Sequence, residues 1–120
     1  MVHEVRYDAA NEVAVLAFKN HFLLVDVEPI AQLIKEILVD KPYRQLVVVM
    51  SDEHDIENRE TREKTAEALS KLNISNIGFV GGNAASRMVA RVLIKTGIVK
   101  LNGEFFKKYD EAIEWLKSKR

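Results

Sequence analysis

The segment 45–51, QLVVVMS, is the strongest indication of the fold in this chain. Three consecutive valines stand between a leucine and a methionine, so a strand formed here carries apolar side chains on both of its faces. A strand that is apolar on both faces is typical of the centre of a sheet that is covered by other layers on both sides. We therefore predict a central strand over 45–50 in an α/β fold.

Four further strands are predicted around this one. The segment ISNIGFVG, 74–81, contains a second buried strand at 77–81. The segments VHEVRYD, 2–8, and EVAVLAFK, 12–19, alternate apolar and polar residues, as half-buried strands do. The short AAN turn between them predicts an antiparallel hairpin. A fifth short strand is expected within 98–106.

Helical periodicity separates these strands. Asp26 is the expected N-cap of a first helix, and further helices are predicted over 59–72, over 84–96 and near the C-terminus. The order ββαβαβαβα indicates an α/β fold, a mixed sheet of about five strands with four helices, in a single domain spanning 1–120. The predicted inward-facing residues are Ile30, Leu33, Ile34, Ile37 and Leu38 of the first helix, Ala66, Leu69 and Leu72 of the second, Met88, Val89, Val92, Leu93 and Thr96 of the third, and Ala112, Ile113, Trp115 and Leu116 of the last.

Composition excludes several classes of protein. The 120 residues include no cysteine, so disulfides and thiolate metal sites are absent. No apolar run approaches the roughly 18 residues that a membrane span requires. The N-terminus lacks the basic-then-apolar pattern of a secretory signal, and a cytoplasmic location is expected.

The charges are unevenly divided along the chain. Residues 1–63 carry 7 Lys+Arg and 13 Asp+Glu, whereas residues 64–120 carry 11 and 5, so the two parts have net charges of −6 and +6. This division is consistent with solvated helix faces, and also with a homodimer or a charged protein partner. Nucleic-acid binding is not expected, because the basic residues are not interleaved with aromatic ones.

The segment GGNAASR, 81–87, is the first candidate site. A strand followed by glycines and a helix start can hold an anion on unpaired N–H groups. The same residues also make a tight turn with an asparagine cap, and they match neither nucleotide-binding glycine signature. Arg87, Arg91 and Lys95 form a basic ridge, which is either solvated or a docking surface. The ligand-binding candidates are Gly81, Gly82, Asn83, Ser86 and Arg87.

The segment SDEHDIENRE, 51–60, is the second candidate. Asp52, His54 and Asp55 offer oxygen and imidazole ligands beyond the central strand, but their spacing fits neither a calcium loop nor a zinc motif. An acidic loop and a metal-dependent enzyme are the two interpretations. No Ser-His-Asp or paired-carboxylate arrangement is found, and nothing pairs His3 or His21 with a nucleophile. We therefore assign no catalytic residue, metal or cofactor.

The chain resembles the small bacterial STAS-like proteins, relatives of the anti-sigma-factor antagonists and of the Sec14-type fold. The likeness extends from about Val13 to Ser118. It consists of the apolar pattern of the strands and helices and of the positions of the turns between them. The stretches that carry it are LVDVEPIAQLIKEIL (24–38), KPYRQLVVVMSD (41–52), NRETREKTAEAL (58–69), IGFVGGNAASRMVARVLIKTG (77–97) and FFKKYDEAIEWLKS (105–118).

The resemblance implies a mixed sheet flanked by helices and a non-enzymatic, regulatory role. In antagonists of this type, a Ser or Thr at the start of the helix after the central strand is phosphorylated and gates partner binding. Ser51 and Thr61 occupy the matching region, although the Asp-Ser-[Ser/Thr]-Gly motif is absent. We therefore expect a non-catalytic interaction or sensing domain that binds a protein partner or a small ligand. The alternative is a binder of anionic or lipid-like molecules at the start of the 84–96 helix.

Overall fold

A computed structural model shows an α/β fold built on one five-stranded mixed sheet. The structure describes residues 3–19, 23–50, 59–82, 84, 87–88, 91 and 102–120. Within these residues there are three complete helices. The strands are β1 (Glu4–Asp8), β2 (Val13–Ala17), β3 (Gln45–Met50), β4 (Asn76–Gly81) and β5 (Asn102–Phe106), and the helices are α1 (Leu24–Leu38), α2 (Arg59–Leu72) and α3 (Tyr109–Ser118).

The strands lie in the sheet in their sequence order. The predicted hairpin is confirmed, because β1 pairs antiparallel with β2 from Glu4 opposite Ala17 to Asp8 opposite Val13. The strands β2, β3, β4 and β5 pair parallel to their neighbours. Their carboxyl ends therefore meet at one edge of the sheet, the carboxyl edge, and their starts meet at the opposite amino edge.

The central position predicted for 45–50 is confirmed. Five of the six side chains of β3 are buried, and the strand lies between β2 and β4. Leu46 and Val48 face the core beneath α1 and α2, whereas Val47 faces α3. Because α-helices cover both faces of β3, nearly all of its side chains are apolar.

The helix α3 approaches the sheet closely at Gly78. A Cβ atom added to Gly78 would lie 3.2 Å from the Cβ of Ala112, so the absent side chain makes room for the helix. Around this contact Ala112, Ile113 and Leu116 are buried and Trp115 is half-buried, as the apolar pattern predicts.

The predicted N-cap of α1 is wrong by three residues. Leu23 is the N-cap, and Asp26 is the third helical residue, with its Oδ2 accepting a hydrogen bond from the backbone N–H of Leu23 at 3.1 Å. A carboxylate at this position satisfies an orphan N–H at the helix start as well as an N-cap does. Pro29 lies inside α1.

Two predicted core residues are exposed. Leu33 of α1 is 37% exposed, because the buried stripe of that helix follows Ile30, Ile34 and Leu38. Met88 is 64% exposed. Residues 84, 87, 88 and 91 are helical, but the remainder of the predicted 84–96 helix lies outside the described residues. The count of four helices therefore stays a prediction.

Candidate functional site

The predicted anion site lies at the carboxyl edge, where β4 ends. Gly81 and Gly82 have positive φ angles of 76° and 82°. A Cβ atom on Gly81 would lie 3.0 Å from the backbone oxygen of Met50, so both the conformation and the limited space favour glycine there. The strand thus ends in a left-handed turn, as the turn interpretation of the sequence expects.

The Arg87 side chain is hydrogen-bonded to this turn. Its Nε donates a hydrogen bond of 3.2 Å to the backbone oxygen of Gly81, and its side chain is half-buried. One helical turn later, the Arg91 guanidinium lies 5.0 Å from the ring centre of Phe105. Both arginines of the predicted basic ridge therefore contact the sheet. Asn83, Ser86 and Lys95 lie outside the described residues.

A buried His–Asp pair occupies the same edge and was missed by the sequence analysis. His3 Nε2 lies 3.2 Å from Asp26 Oδ2, and both residues are buried. The backbone N–H of Lys19 donates to His3 Nδ1 at 3.3 Å. The ring also meets Phe18 edge-on, with 5.2 Å between ring centres. The two residues are 23 positions apart, so only the pairing of β1 with β2 brings them together.

These contacts assign the roles of the two imidazole nitrogens. Nδ1 accepts from Lys19, so the proton of the neutral ring is on Nε2 and is donated to the Asp26 carboxylate. Asp26 Oδ2 also accepts from the backbone of Leu23. The pair thus connects the start of β1, the end of β2 and the start of α1. Its hydrogen bonds hold these three elements together, which is a structural role.

The remaining predicted sites are only partly described. Ser51 and the acidic loop with Asp52, His54 and Asp55 lie outside the described residues. In the described ranges no group of three His, Asp or Glu side chains could hold a metal ion. Thr61 is fully buried in the first turn of α2, so a kinase could reach its hydroxyl only after this turn opens. Its phosphorylation stays a prediction.

A second polar network, also unpredicted, lies at the amino edge. The buried Gln45 side chain donates through Nε2 to the backbone oxygen of Leu116 at 2.8 Å and accepts from Arg120 Nε at 2.9 Å. The Arg120 guanidinium lies 4.0 Å from the ring centre of Tyr43. It also donates through Nη2 to the backbone oxygens of Asn11 and Glu12. The network holds the C-terminus of α3 against the starts of β2 and β3.

An open groove of about 610 Å³ runs between α1 and α2. Its floor includes the buried side chains of Val27 and Leu72, and Val39, 56% exposed, borders it. The charged residues that line it are Lys35, Arg44, Lys64 and Lys71 against Glu28 and Glu67, a net charge of +2.

Comparison with known proteins assigns no family to this fold and these sites. No protein-family model matches the chain, and no curated protein is significantly similar to it.

Across the ranges that the structure describes, no helix has the length and apolar character needed to cross a bilayer.

Proposed function

We propose that this chain is a non-catalytic, STAS-like interaction domain with a regulatory role, and that the groove between α1 and α2 receives an acidic, amphipathic segment of a partner protein. The observation that carries this proposal is the combination of exposed apolar surface and net positive charge along one groove. A helical segment with one apolar face fits such a groove in other proteins.

The positive charge of the groove is available for a partner. Lys71 pairs with Glu67 at 3.3 Å, and the Arg44 guanidinium donates to the backbone oxygen of Leu72. Lys35 and Lys64 have no carboxylate within salt-bridge distance among the residues described. These two lysines lie on α1 and α2 respectively, so a carboxylate-bearing segment between the helices would meet a cation on each side.

The position of α2 agrees with the regulatory part of the proposal. The STAS-like resemblance implies a gating Ser or Thr at the start of the helix after the central strand, and the helix that follows β3 here is α2. Lys64 and Glu67 of α2 line the groove. A charge change at the start of α2 would therefore act on the same helix that contacts the partner.

Selection of binders from a library of random amphipathic 15-residue peptides tests this function. We expect the selected peptides to be rich in Asp and Glu and to bind more weakly as salt increases. The double substitution Lys35→Glu with Lys64→Glu should weaken their binding about tenfold or more, because it replaces two attractions by two repulsions. Fluorescence anisotropy with labelled peptides measures this change.

Lys107→Glu is the matched control, since Lys107 is exposed, has the same charge and lies outside the groove. Its binding should stay within about twofold of the wild type. Selected peptides without an acidic excess would contradict the proposal, as would equal binding to the groove variant.

The anion site at the carboxyl edge is the second candidate function. The observation that favours it is the position of the Arg87 guanidinium over the left-handed turn formed by Gly81 and Gly82. Thermal-shift measurements with phosphates, nucleotides and fatty acids test it. Stabilisation that disappears in Arg87→Ala would support this site, and stabilisation that survives the substitution would exclude it.

A further inference from the structure

The amino edge carries a small polar pocket at the junction of α3 with β3 and β4. Its volume is about 280 Å³, close to the lower limit of the roughly 300–1,000 Å³ that is usual for small-molecule sites. Arg44, Lys119 and Arg120 line it, and its lining includes no Asp or Glu from the described ranges. The lining side chains therefore carry a formal charge of +3, and this pocket lies at the opposite edge of the sheet from Gly81 and Arg87.

Both guanidinium groups retain donors for a ligand. Arg44 donates through Nε and Nη2 to the backbone oxygen of Leu72. Arg120 uses Nε and Nη2 for Gln45, Asn11 and Glu12. Each has two further N–H groups on Nη1, and these have no hydrogen-bond partner in the described part of the chain. Every acceptor that the described residues offer to these two guanidinium groups is a neutral carbonyl oxygen, and no carboxylate among those residues lies within salt-bridge distance of either group.

Asn76 supplies an independent indication of a ligand. It is only 8% exposed and lines the pocket. Its Oδ1 accepts a long hydrogen bond of 3.4 Å from Gln45 Nε2, whereas its own amide nitrogen donates to no atom of the described residues. A buried amide donor without an acceptor is destabilising, so an acceptor at this position would be favourable.

We propose that this pocket binds a small oxyanion, either inorganic phosphate or the phosphate of a small monoester, held by the Asn76 amide and the Nη1 groups of Arg44 and Arg120. The C-terminus of α3 lies nearby and carries partial negative charge, which opposes an anion. The three cationic side chains outweigh this half-charge. The inference is independent of the peptide groove, which shares only Arg44 and Asn73 with the pocket.

A titration of the ¹⁵N-labelled full chain with inorganic phosphate at constant ionic strength tests the proposal. We expect saturable shifts of the backbone amides at 73–76 and 119–120. Asn76→Leu, which has nearly the same shape without the donors, should weaken phosphate binding about tenfold, and so should Arg120→Gln. Asn102→Leu is the matched control, because Asn102 pairs with Asn76 in the sheet but is exposed and lies outside the pocket.

Two comparisons complete the test. Tighter binding of ribose 5-phosphate than of phosphate would identify a monoester as the ligand type, and equal or weaker binding would identify the free ion. Lys35→Glu with Lys64→Glu should leave phosphate binding unchanged, so a failed peptide groove is distinguishable from a failed oxyanion pocket. Shifts centred on Gly81, Gly82 and Arg87, or no saturable shifts in the wild type, would overturn the proposal without any variant being needed.

Discussion

The hydroxyl of Tyr109 donates a hydrogen bond of 2.5 Å to Oδ2 of Asp8, joining the start of α3 to the end of β1 across 101 residues of sequence. Asp8 also accepts from the side chain and backbone of Asn11. The bond from Tyr109 is the main cause that lowers the pKa of Asp8, against an opposing effect of burial. Two causes raise the pKa of Tyr109 above its ordinary value of 10.0: burial is the larger, and the same hydrogen bond is the second.

We predict that this pair makes the stability of the protein depend on pH at both extremes. The pKa of Asp8 is lowered by folding, so its contribution is present above the ordinary value of 3.8 and is lost as pH falls through the folded value. The pKa of Tyr109 is raised, so its contribution is present below 10.0 and is lost as pH rises through the folded value. Urea unfolding across the pH range measures both losses.

Tyr109→Phe should lower the free energy of unfolding by about 1–2 kcal/mol at neutral pH, because it removes a hydrogen bond to a charged group. In acid, where Asp8 is protonated, the difference from the wild type should shrink. Tyr43→Phe is the matched control, since no hydrogen bond of the Tyr43 hydroxyl occurs among the described residues. Equal losses in the two variants would show that the Asp8 bond is not responsible.

We expect Gly81→Ala to destabilise the fold by about 1–3 kcal/mol. The substitution places a Cβ atom 3.0 Å from the Met50 backbone oxygen, on a residue with φ of 76°. Thermal unfolding measures the effect. Gly103→Ala serves as the comparison, because Gly103 lies in β5 without a positive φ. If Gly81→Ala melted at the wild-type temperature, the left-handed turn would not be needed.

Asp26→Ala should cost about 2 kcal/mol or more, because it leaves both the His3 ring and the backbone N–H of Leu23 without their carboxylate acceptor. Chemical unfolding with a two-state fit gives the value. Glu28→Ala, an exposed carboxylate two residues further along α1, should change stability by less than about 0.5 kcal/mol. Similar effects of the two substitutions would show that the His3–Asp26 pair contributes little.

Self-association is a further prediction, from the opposed charges of the two parts of the chain. If unlike charges of two copies attract, the dimerisation constant should fall as salt rises from about 0.05 to 0.5 M. Sedimentation velocity over a concentration series measures it. A dimer that is indifferent to salt would instead indicate an apolar interface, and a monomer at all concentrations would exclude the homodimer.

Much of the fold follows from the sequence because hydrophobic period is a local signal. The valines of β3 predict a strand covered on both faces, and α2 occupies the predicted range 59–72. The alternation within 2–19 predicts the β1–β2 hairpin. Each of these three predictions depends only on side chains that are close in sequence, within one or two helical turns or a few strand positions.

The candidate sites were less predictable. The left-handed turn at Gly81 and Gly82 agrees with the turn interpretation of GGNAASR, but sequence alone did not show that Arg87 would be held by the Gly81 carbonyl. Met88, predicted to face inward, is 64% exposed, so the apolar pattern of 84–96 did not predict its position.

Apolar periodicity along the chain therefore predicted the α/β class, the five strands and the helices α1, α2 and α3, because it specifies which faces must be buried. The fourth predicted helix stays a prediction. The tertiary arrangement of these elements sets which polar groups meet: His3 with Asp26, Asp8 with Tyr109, and Asn76 with Gln45. Hydrogen bonds act over about 3 Å and depend on direction, so they are set by strand register and helix placement, which no local pattern encodes.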